Sequence, residues 1–259
     1  MLISFIVFAR NAGIDFFATL DTIQVALSKI SLRREDYEIL CVDDGSVFPP
    51  TSNEIFSSHL VNKLIRITPG LGISGAIYEG ALEATGEYVI AVPGSNMFAP
   101  NGIQKLLSTF LDGHQKGHEI FLGFRENANT ARPVVKLYSS KLLLFAFKFV
   151  TGHFEIRDIH GLNIFKRDDM LRFLPRNGKH GGQLQLLASC LKGNTTYLQV
   201  PVLLLPGHKS RISATWRDSF PSLPALFASF KGILKIIYSF RSRKSKSIIR
   251  VFATPPSNG

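Results

Sequence analysis

Only two cysteines occur in the 259 residues, Cys41 and Cys190, and both sit in apolar surroundings. Their number and spacing exclude a disulfide framework and a cysteine-ligated metal centre, and buried free thiols in a reducing compartment are the expectation. Long hydrophobic runs are also missing. A membrane-spanning helix needs roughly eighteen or more apolar residues, and the closest stretch, LLLFAFKFV at 142–150, is short and interrupted by Lys148. The opening MLISFIVFARNAG lacks a basic n-region and a small-residue cleavage site, so it reads as a first core strand. No internal repeat occurs. Acid is absent beyond Asp218, where Lys231, Lys235, Arg241, Arg243, Lys244, Lys246 and Arg250 supply seven of the net +11 charges. A basic terminal segment of this kind suits an anionic partner.

What is present is ordinary for a globular core: 45% hydrophobic and 19% charged residues, in a length that suits one large α/β domain or two small ones. Residues 2–9 are apolar apart from Ser4, as expected of a strand buried on both faces. Helical spacing follows from Phe16 to Ile30. A second apolar strand, 37–42, ends at Asp43, and a helix at 51–61 and a short strand at 62–67 come next. GLGISG at 70–75 opens a helix through Ala84, and strand 87–92 and a helix from Pro100 to Leu111 complete the first half. Strand and helix in alternation predict a parallel sheet wrapped by helices, with ligands beyond the carboxyl ends of the strands. The second half reads as a strand at 118–123, a polar loop RENANTARP, a helix at 134–151, a turn with Asp158, a strand through Phe165, a helix at 182–192 and a strand near 196–204.

Two strand ends stand out. YEILCVDDGS places the adjacent carboxylates Asp43 and Asp44 on a Gly-Ser turn, and VIAVPGSNMFAP ends a similar strand with no acid. Asp43 and Asp44 can accept hydrogen bonds from a base N–H and ribose hydroxyls. An Asp-Gly turn that merely ends a strand is the plainer alternative. Gly70, Gly72 and Gly75 allow backbone to approach a nucleotide, or simply make a loop entering a helix.

ISFIVFARNAG, YEILCVDDGS and GISGAIYEGALEATGEYVIAV together resemble the nucleotide-sugar half of family 2 glycosyltransferases with the GT-A fold. The subgroup most resembled makes polyprenyl-phosphate sugars, as dolichol-phosphate mannose synthase does. The similarity continues through GFRENANTARP, IRDIHGLNIFKRD and VPVLLLPGHKSRIS, over roughly residues 2–216. The resemblance implies a Rossmann-like, mostly parallel α/β sheet flanked by helices. It also implies that Arg10, Asp43, Asp44, Gly70 and Gly72 bind the nucleotide and that Asp158 lies near the reacting sugar.

One departure matters. Members of the family usually carry an Asp-x-Asp that holds Mg2+ or Mn2+ against the donor diphosphate. Here Pro93 and Ser95 occupy the two acid positions, and Ser95 and Asn96 offer only neutral oxygens to a hard cation. No cofactor is therefore certain, Mg2+ or Mn2+ remaining the metals to test, and the metal ligands are unknown. Arg125, Arg132, Lys209 and Arg211, with His208 beside them, are the candidates for neutralising a diphosphate or meeting the acceptor. A solvated basic surface is their plainer reading. His114 and His118 have the spacing of a helical metal pair, but Lys116 stands between them with no acid nearby, so they read as surface residues. Asp158 is the candidate catalytic carboxylate, deprotonating an acceptor hydroxyl or orienting groups when the acceptor is already anionic. A loop Asp capping its turn is the alternative.

In the terminal segment, Phe227, Phe230, Ile233, Leu234, Ile237 and Phe240 fall at helical spacings beside Lys231 and Lys235. That pattern predicts a helix in the interface of an anionic membrane surface; packing on the domain is the alternative. No nucleic-acid recognition module is present. The expected organisation is a GT-A domain over 1–217 and a membrane-surface tail over 218–259. The expected activity is inverting transfer from a nucleotide-sugar donor to a polyprenyl phosphate or a lipid-linked or cell-surface saccharide acceptor, at the cytoplasmic face of a membrane. Two other readings stay open: a non-catalytic nucleotide-sugar binder, and a nucleotidyltransferase, against which the missing glycine-rich basic loop at strand one counts.

Overall fold

The central strands form because most of their residues are apolar and successive side chains enter two different cores. In the computed structural model, which describes residues 1–50, 52–56, 60–131, 134–176, 181–192, 195–205 and 250–252, β1 (Ile3–Ala9) sends Ile3, Phe5 and Val7 to one core and Ile6 and Phe8 to the other. β2 (Tyr37–Asp43) does the same with Tyr37, Ile39 and Cys41 against Leu40 and Val42. This two-sided burial is what a parallel sheet covered on both faces requires. Both cysteines are buried and free, and burial pushes the Cys41 thiol up to about 12.

The remaining elements follow in order: α1 (Ile14–Leu27), α2 (Ser52–Phe56), β3 (Lys63–Arg66), α3 (Ile73–Glu83), β4 (Tyr88–Pro93), α4 (Pro100–Gln115), β5 (Ile120–Arg125), α5 (Ala128–Ala131), α6 (Val134–Thr151), β6 (Asn163–Lys166), α7 (Arg167–Phe173), α8 (Gly182–Cys190), β7 (Tyr197–Val202) and β8 (Arg250–Phe252). They build one sheet of order β3-β2-β1-β4-β6-β5-β7-β8. All pairings are parallel except those of β6, which runs antiparallel to both β4 and β5. α1 and α4 supply residues to one core, and α3, α7 and α8 to the other.

The register aligns Ala9 with Asp43 and Phe8 with Pro93, so β1, β2 and β4 end at one level. The strand order reverses direction between β1 and β4, which is where open α/β sheets form a crevice. Some expectations need correction. The RENANTARP loop contains the short helix α5, α7 occupies residues with no anticipated helix, and α4 extends four residues past Leu111. His118 lies beyond the end of α4, so no helical histidine pair exists. His114 is half-buried and stacks on Phe110 at 5.7 Å, with Nδ1 3.3 Å from the Tyr88 hydroxyl. Most of the terminal segment lies outside the described residues, but β8 within it pairs parallel with β7.

At the opposite end of the sheet, a buried carboxylate joins three elements. Glu38 Oε1 accepts from Ser4 Oγ at 2.6 Å, from the Thr85 backbone N–H at 2.6 Å and from Thr85 Oγ1 at 2.8 Å, and Gly86 N–H donates to Ser4 Oγ at 2.9 Å. Burial pushes the Glu38 carboxyl up, but these hydrogen bonds outweigh it and hold the group below its ordinary value of 4.5. A depressed carboxyl stabilises the fold above its unfolded value, and that contribution disappears as pH falls through the folded value. Glu38→Ala is therefore expected to cost about 2–3 kcal/mol at neutral pH, leaving buried donors without an acceptor. Urea unfolding at neutral and acidic pH checks this, the gap to the native chain narrowing in acid; a gap independent of pH contradicts it.

Candidate functional site

The strand ends are stitched together before any side chain reaches solvent. Asp44 N–H donates to Ala9 O at 2.8 Å, Gly94 N–H to Phe8 O at 2.8 Å and Ile67 N–H to Asp43 O at 2.9 Å. Asn11, in a left-handed conformation at φ 54°, follows β1. Its N–H donates to Ser46 Oγ at 2.8 Å and its Oδ1 accepts from Val47 N–H at 2.9 Å. Ser46 Oγ donates in turn to Asp43 Oδ1, which also accepts from Ser46 N–H at 3.2 Å. Asp43, only 7% exposed, thus shapes its own turn.

Asp44 has a different task. Its Oδ1 accepts from Leu71 N–H at 2.6 Å and its Oδ2 from Gly72 N–H at 2.9 Å, and it is 5% exposed. The glycines make this approach possible. A Cβ on Gly70 would lie 2.3 Å from Asp44 O, and one on Gly45, at φ 75°, would meet Gly70 N at 2.9 Å. Gly72 then caps the entry to α3 at φ 83°.

Beside this junction lies a cleft of about 540 Å³, lined by Phe8, Ala9 and the Arg10–Ala12 turn after β1, Asp15 of α1, Asp44 after β2, Ile73 and Ala76 of α3, and Pro93, Gly94 and Ser95 at the end of β4. It sits at the carboxyl ends of the strands on either side of the reversal in strand order, and Arg10 is the one cation among its described lining residues. Of the residues singled out in the sequence, Arg10, Asp44, Pro93 and Ser95 line it; Gly70 and Gly72 adjoin it through Asp44.

The others are placed elsewhere. Asn96 is left-handed at φ 46°, with its N–H on Thr19 Oγ1 at 2.9 Å and its Oδ1 accepting from Thr22 Oγ1 at 2.9 Å, so its side chain is held by α1. Arg125 and Asp158 are engaged by each other. Arg125 Nε donates to Asp158 Oδ2 at 2.6 Å and Nη2 to Oδ1 at 2.8 Å, while the backbone N–H groups of Arg125 and His160 add further bonds at 3.1 and 3.0 Å. Burial pushes the Asp158 carboxyl up, yet the Arg125 guanidinium and the two N–H donors hold it below the usual carboxylate range. An arginine-locked carboxylate with a depressed pKa is a weak proton acceptor, and the guanidinium, with its side chain 4% exposed, has its charge matched by that carboxylate. Arg132, His208, Lys209 and Arg211 lie outside the described residues.

Asp15 was missed by sequence reasoning. An acid in the first turn of a helix is common for its own electrostatic reasons, so nothing marked it out before the fold brought it to the cleft. Ser46 and Asn11, the two links between strand ends, carried no stronger signal than a turn.

Three comparisons bear on this arrangement. The family model for glycosyl transferase family 2 matches residues 4–171. No curated protein matches the chain. Among solved structures, glucosyl-3-phosphoglycerate synthase from Mycobacterium tuberculosis, held with Mn2+, UDP and glucosyl-3-phosphoglycerate, is 19% identical, with 92% of this chain and 79% of that one covered at TM-score 0.60. Mannosyl-3-phosphoglycerate synthase from Rubrobacter xylanophilus is 14% identical, with 100% and 79% covered at TM-score 0.65. S. aureus TarS is 16% identical, with 79% and 58% covered at TM-score 0.51. At such identities the likeness shows the fold: a GT-A sheet with flanking helices.

The junction itself is testable. Asp44→Ala leaves the Leu71 and Gly72 N–H groups without their acceptor, so we expect a loss of about 2 kcal/mol in unfolding free energy. Amide exchange at those two residues should accelerate more than at β1, read by hydrogen-exchange NMR. Unchanged exchange there would mean that the carboxylate does not hold the loop.

Proposed function

This chain belongs to glycosyl transferase family 2, and from that premise we propose that it transfers a sugar, with inversion, from a nucleotide-sugar donor to a polyprenyl phosphate or lipid-linked saccharide acceptor. The observation that carries the reading is the cleft at the ends of β1, β2 and β4, where a carboxylate-anchored glycine segment and Arg10 meet. The nucleoside is assigned to the side of Asp44 and the Arg10–Ala12 turn, and the diphosphate to the space between Arg10 and Ser95.

A divalent cation, present with UDP in the mycobacterial neighbour, fits these residues poorly. At the strand end that faces the cleft, Pro93, Gly94 and Ser95 offer carbonyls and one hydroxyl. Asp15 and Asp44 are the two carboxylates among the cleft's described lining residues; both Asp44 oxygens already receive N–H groups, and among the described residues no three His, Cys, Asp or Glu side chains converge. Hard cations want more charged oxygen than this. Arg10 is instead assigned the counter-charge for the leaving nucleoside diphosphate, a guanidinium being suited to phosphate oxygens.

The chemistry then needs little from a base. A phosphate oxygen of the acceptor attacks the anomeric carbon from the face opposite the donor diphosphate. The carbon–oxygen bond to the diphosphate breaks, and the nucleoside diphosphate leaves with the bonding pair. An acceptor phosphate is already anionic near neutral pH, so with that acceptor the locked Asp158 positions its surroundings through Arg125 and accepts no proton. A saccharide hydroxyl would have to pass its proton to another base, so the locked carboxylate favours the phosphate acceptor. The same two features, the absent acid pair and the locked Asp158, favour a second reading: a nucleotide-sugar binder without transferase activity.

Donor choice is read first, by ranking UDP-, GDP-, CDP- and dTDP-sugars for thermal stabilisation of the chain. With the preferred donor, calorimetric affinity is expected to change less than about threefold between Mn2+ and EDTA, and Arg10→Ala to weaken it by tenfold or more, in keeping with about 1.5–3 kcal/mol for a charge-assisted bond. A large loss in EDTA contradicts the metal-free site. Transfer of radiolabelled sugar to polyprenyl phosphate supports the enzyme; tight donor binding without transfer to phosphate or saccharide acceptors supports the binder.

The basic segment 218–259 is proposed to hold the chain on an anionic membrane surface. Six of its cations lie outside β8, and changing Lys231, Lys235, Arg241, Arg243, Lys244 and Lys246 to Gln preserves that strand. Each basic residue near such a surface is worth about 1 kcal/mol at low salt, so co-sedimentation with anionic vesicles should fall sharply in this variant, while on neutral vesicles both chains should sediment weakly and alike. Equal sedimentation of the two chains on anionic vesicles overturns the assignment.

A further inference from the structure

α6 is apolar on two opposite faces, and only one of them is packed. Phe147 is buried, and Leu143, Leu144 and Val150 pack beside it against the core that contains Ile156, Leu184 and Tyr197. On the other side Tyr138, Leu142, Phe145 and Phe149 are 67%, 59%, 65% and 74% exposed. At about 100° per residue these four fall within an arc of roughly 60°, in a line about 16 Å long. Single exposed apolar side chains are normal on any protein, but a contiguous line of large ones marks a contact surface.

Charge decides what the surface meets. Residues 127–154 contain Arg132, Lys136, Lys141 and Lys148 and no acid. Lys141 and Lys148 lie at about 70–90° to one side of the centre of the apolar line by the same helical geometry. The chain's own terminal segment, which carries seven cations and no acid after Asp218, would bring like charge against them. A second copy of α6 would do the same. An anionic lipid surface offers both halves of the match: headgroup phosphates for the lysines and acyl chains for the aromatic line. No helix among the described residues is long and apolar enough to cross a membrane, so the fit is to a surface contact.

We propose that the outward face of α6 docks on an anionic lipid bilayer, with Tyr138, Leu142, Phe145 and Phe149 entering the interface and Lys141 and Lys148 at the headgroups. The contact shares its partner with the terminal segment but rests on a different part of the chain and does not depend on the transfer reaction. Two attachments on one molecule would raise the retention of the whole chain beyond either alone.

The test uses the full chain and vesicles free of sugar donor and acceptor, so its result is independent of catalysis. Vesicles of phosphatidylcholine alone are compared with vesicles containing about 30% phosphatidylglycerol, whose charge supplies the attraction to basic residues. Near-ultraviolet circular dichroism first establishes that Phe145→Ser/Phe149→Ser and Lys141→Gln/Lys148→Gln keep the native packing, as expected of exposed positions. On anionic vesicles each double variant should lose about tenfold in partition coefficient, and on neutral vesicles only the Phe pair should weaken what binding remains. Wild-type partition in both double variants overturns the proposal and leaves the terminal segment as the attachment. Absence of binding by the native chain overturns both membrane contacts. A native dimer that the Phe pair converts to monomer, with no vesicle binding, assigns the face to a second copy. A Phe-pair variant in which the terminal segment becomes newly protease-sensitive, with vesicle binding unchanged, assigns the face to that segment.

Discussion

The hydrogen bonds from Leu71 and Gly72 to the Asp44 carboxylate are the constraint on which the site depends. A parallel sheet delivers several strand ends to one level, and the loops that leave them carry backbone N–H groups that need acceptors. Asp44 satisfies two of these at once and so fixes where α3 begins. Because Gly70 presses on the Asp44 backbone, the VDDGS turn and the glycine segment behave as one layer. The cleft is the space left between that layer, the Arg10–Ala12 turn and the end of β4.

Seen this way, the acidic pair after β2 answers two needs with two residues. Asp43 closes its own turn through Ser46, and Ser46 carries the connection on to Asn11. Asp44 faces the neighbouring loop and borders the cleft. Neither is a freely solvated carboxylate; each holds backbone in place at the rim of the sheet. Asp158, the one acid expected to do chemistry, is similarly engaged, its charge matched by Arg125. Breaking a buried pair of this kind by removing one partner costs about 3–5 kcal/mol, which argues that the pair persists while substrates come and go. Arg10 is left as the cation bordering the cleft among the described residues.

Much of the fold was legible because two-sided burial writes itself into a strand as a continuous apolar run. β1, β2 and β4 were located to within a residue or two for this reason, and α6 matched its expected span. The antiparallel direction of β6 was not legible, since direction depends on how α5 and α6 return the chain and no residue pattern encodes that. α7 was hidden because its seven residues are mostly charged and give no apolar periodicity. In the site, VDDGS and the glycine segment were visible as punctuation, and the absence of acid at Pro93 and Ser95 was plain. The partners were not visible. That Asp158 meets Arg125, that Asn96 turns to Thr19 and Thr22, and that Asp15 reaches the cleft are tertiary facts between residues 33, 74 and more positions apart. Equally, the inner stripe of α6 made the helix predictable, while only the packed domain reveals that a second stripe is left outside.

The central claim is that a nucleotide occupies the cleft between Arg10, Asp44, Ile73 and Ser95. Backbone amide chemical shifts of the uniformly labelled chain, titrated with UDP or whichever nucleoside diphosphate stabilises it most, address that claim directly. The account predicts the largest shifts at Arg10, Asn11, Ile73 and Ser95, with small ones at Arg125 and Asp158. Saturable shifts centred on Arg125 and Asp158, with the cleft residues unmoved, would contradict it.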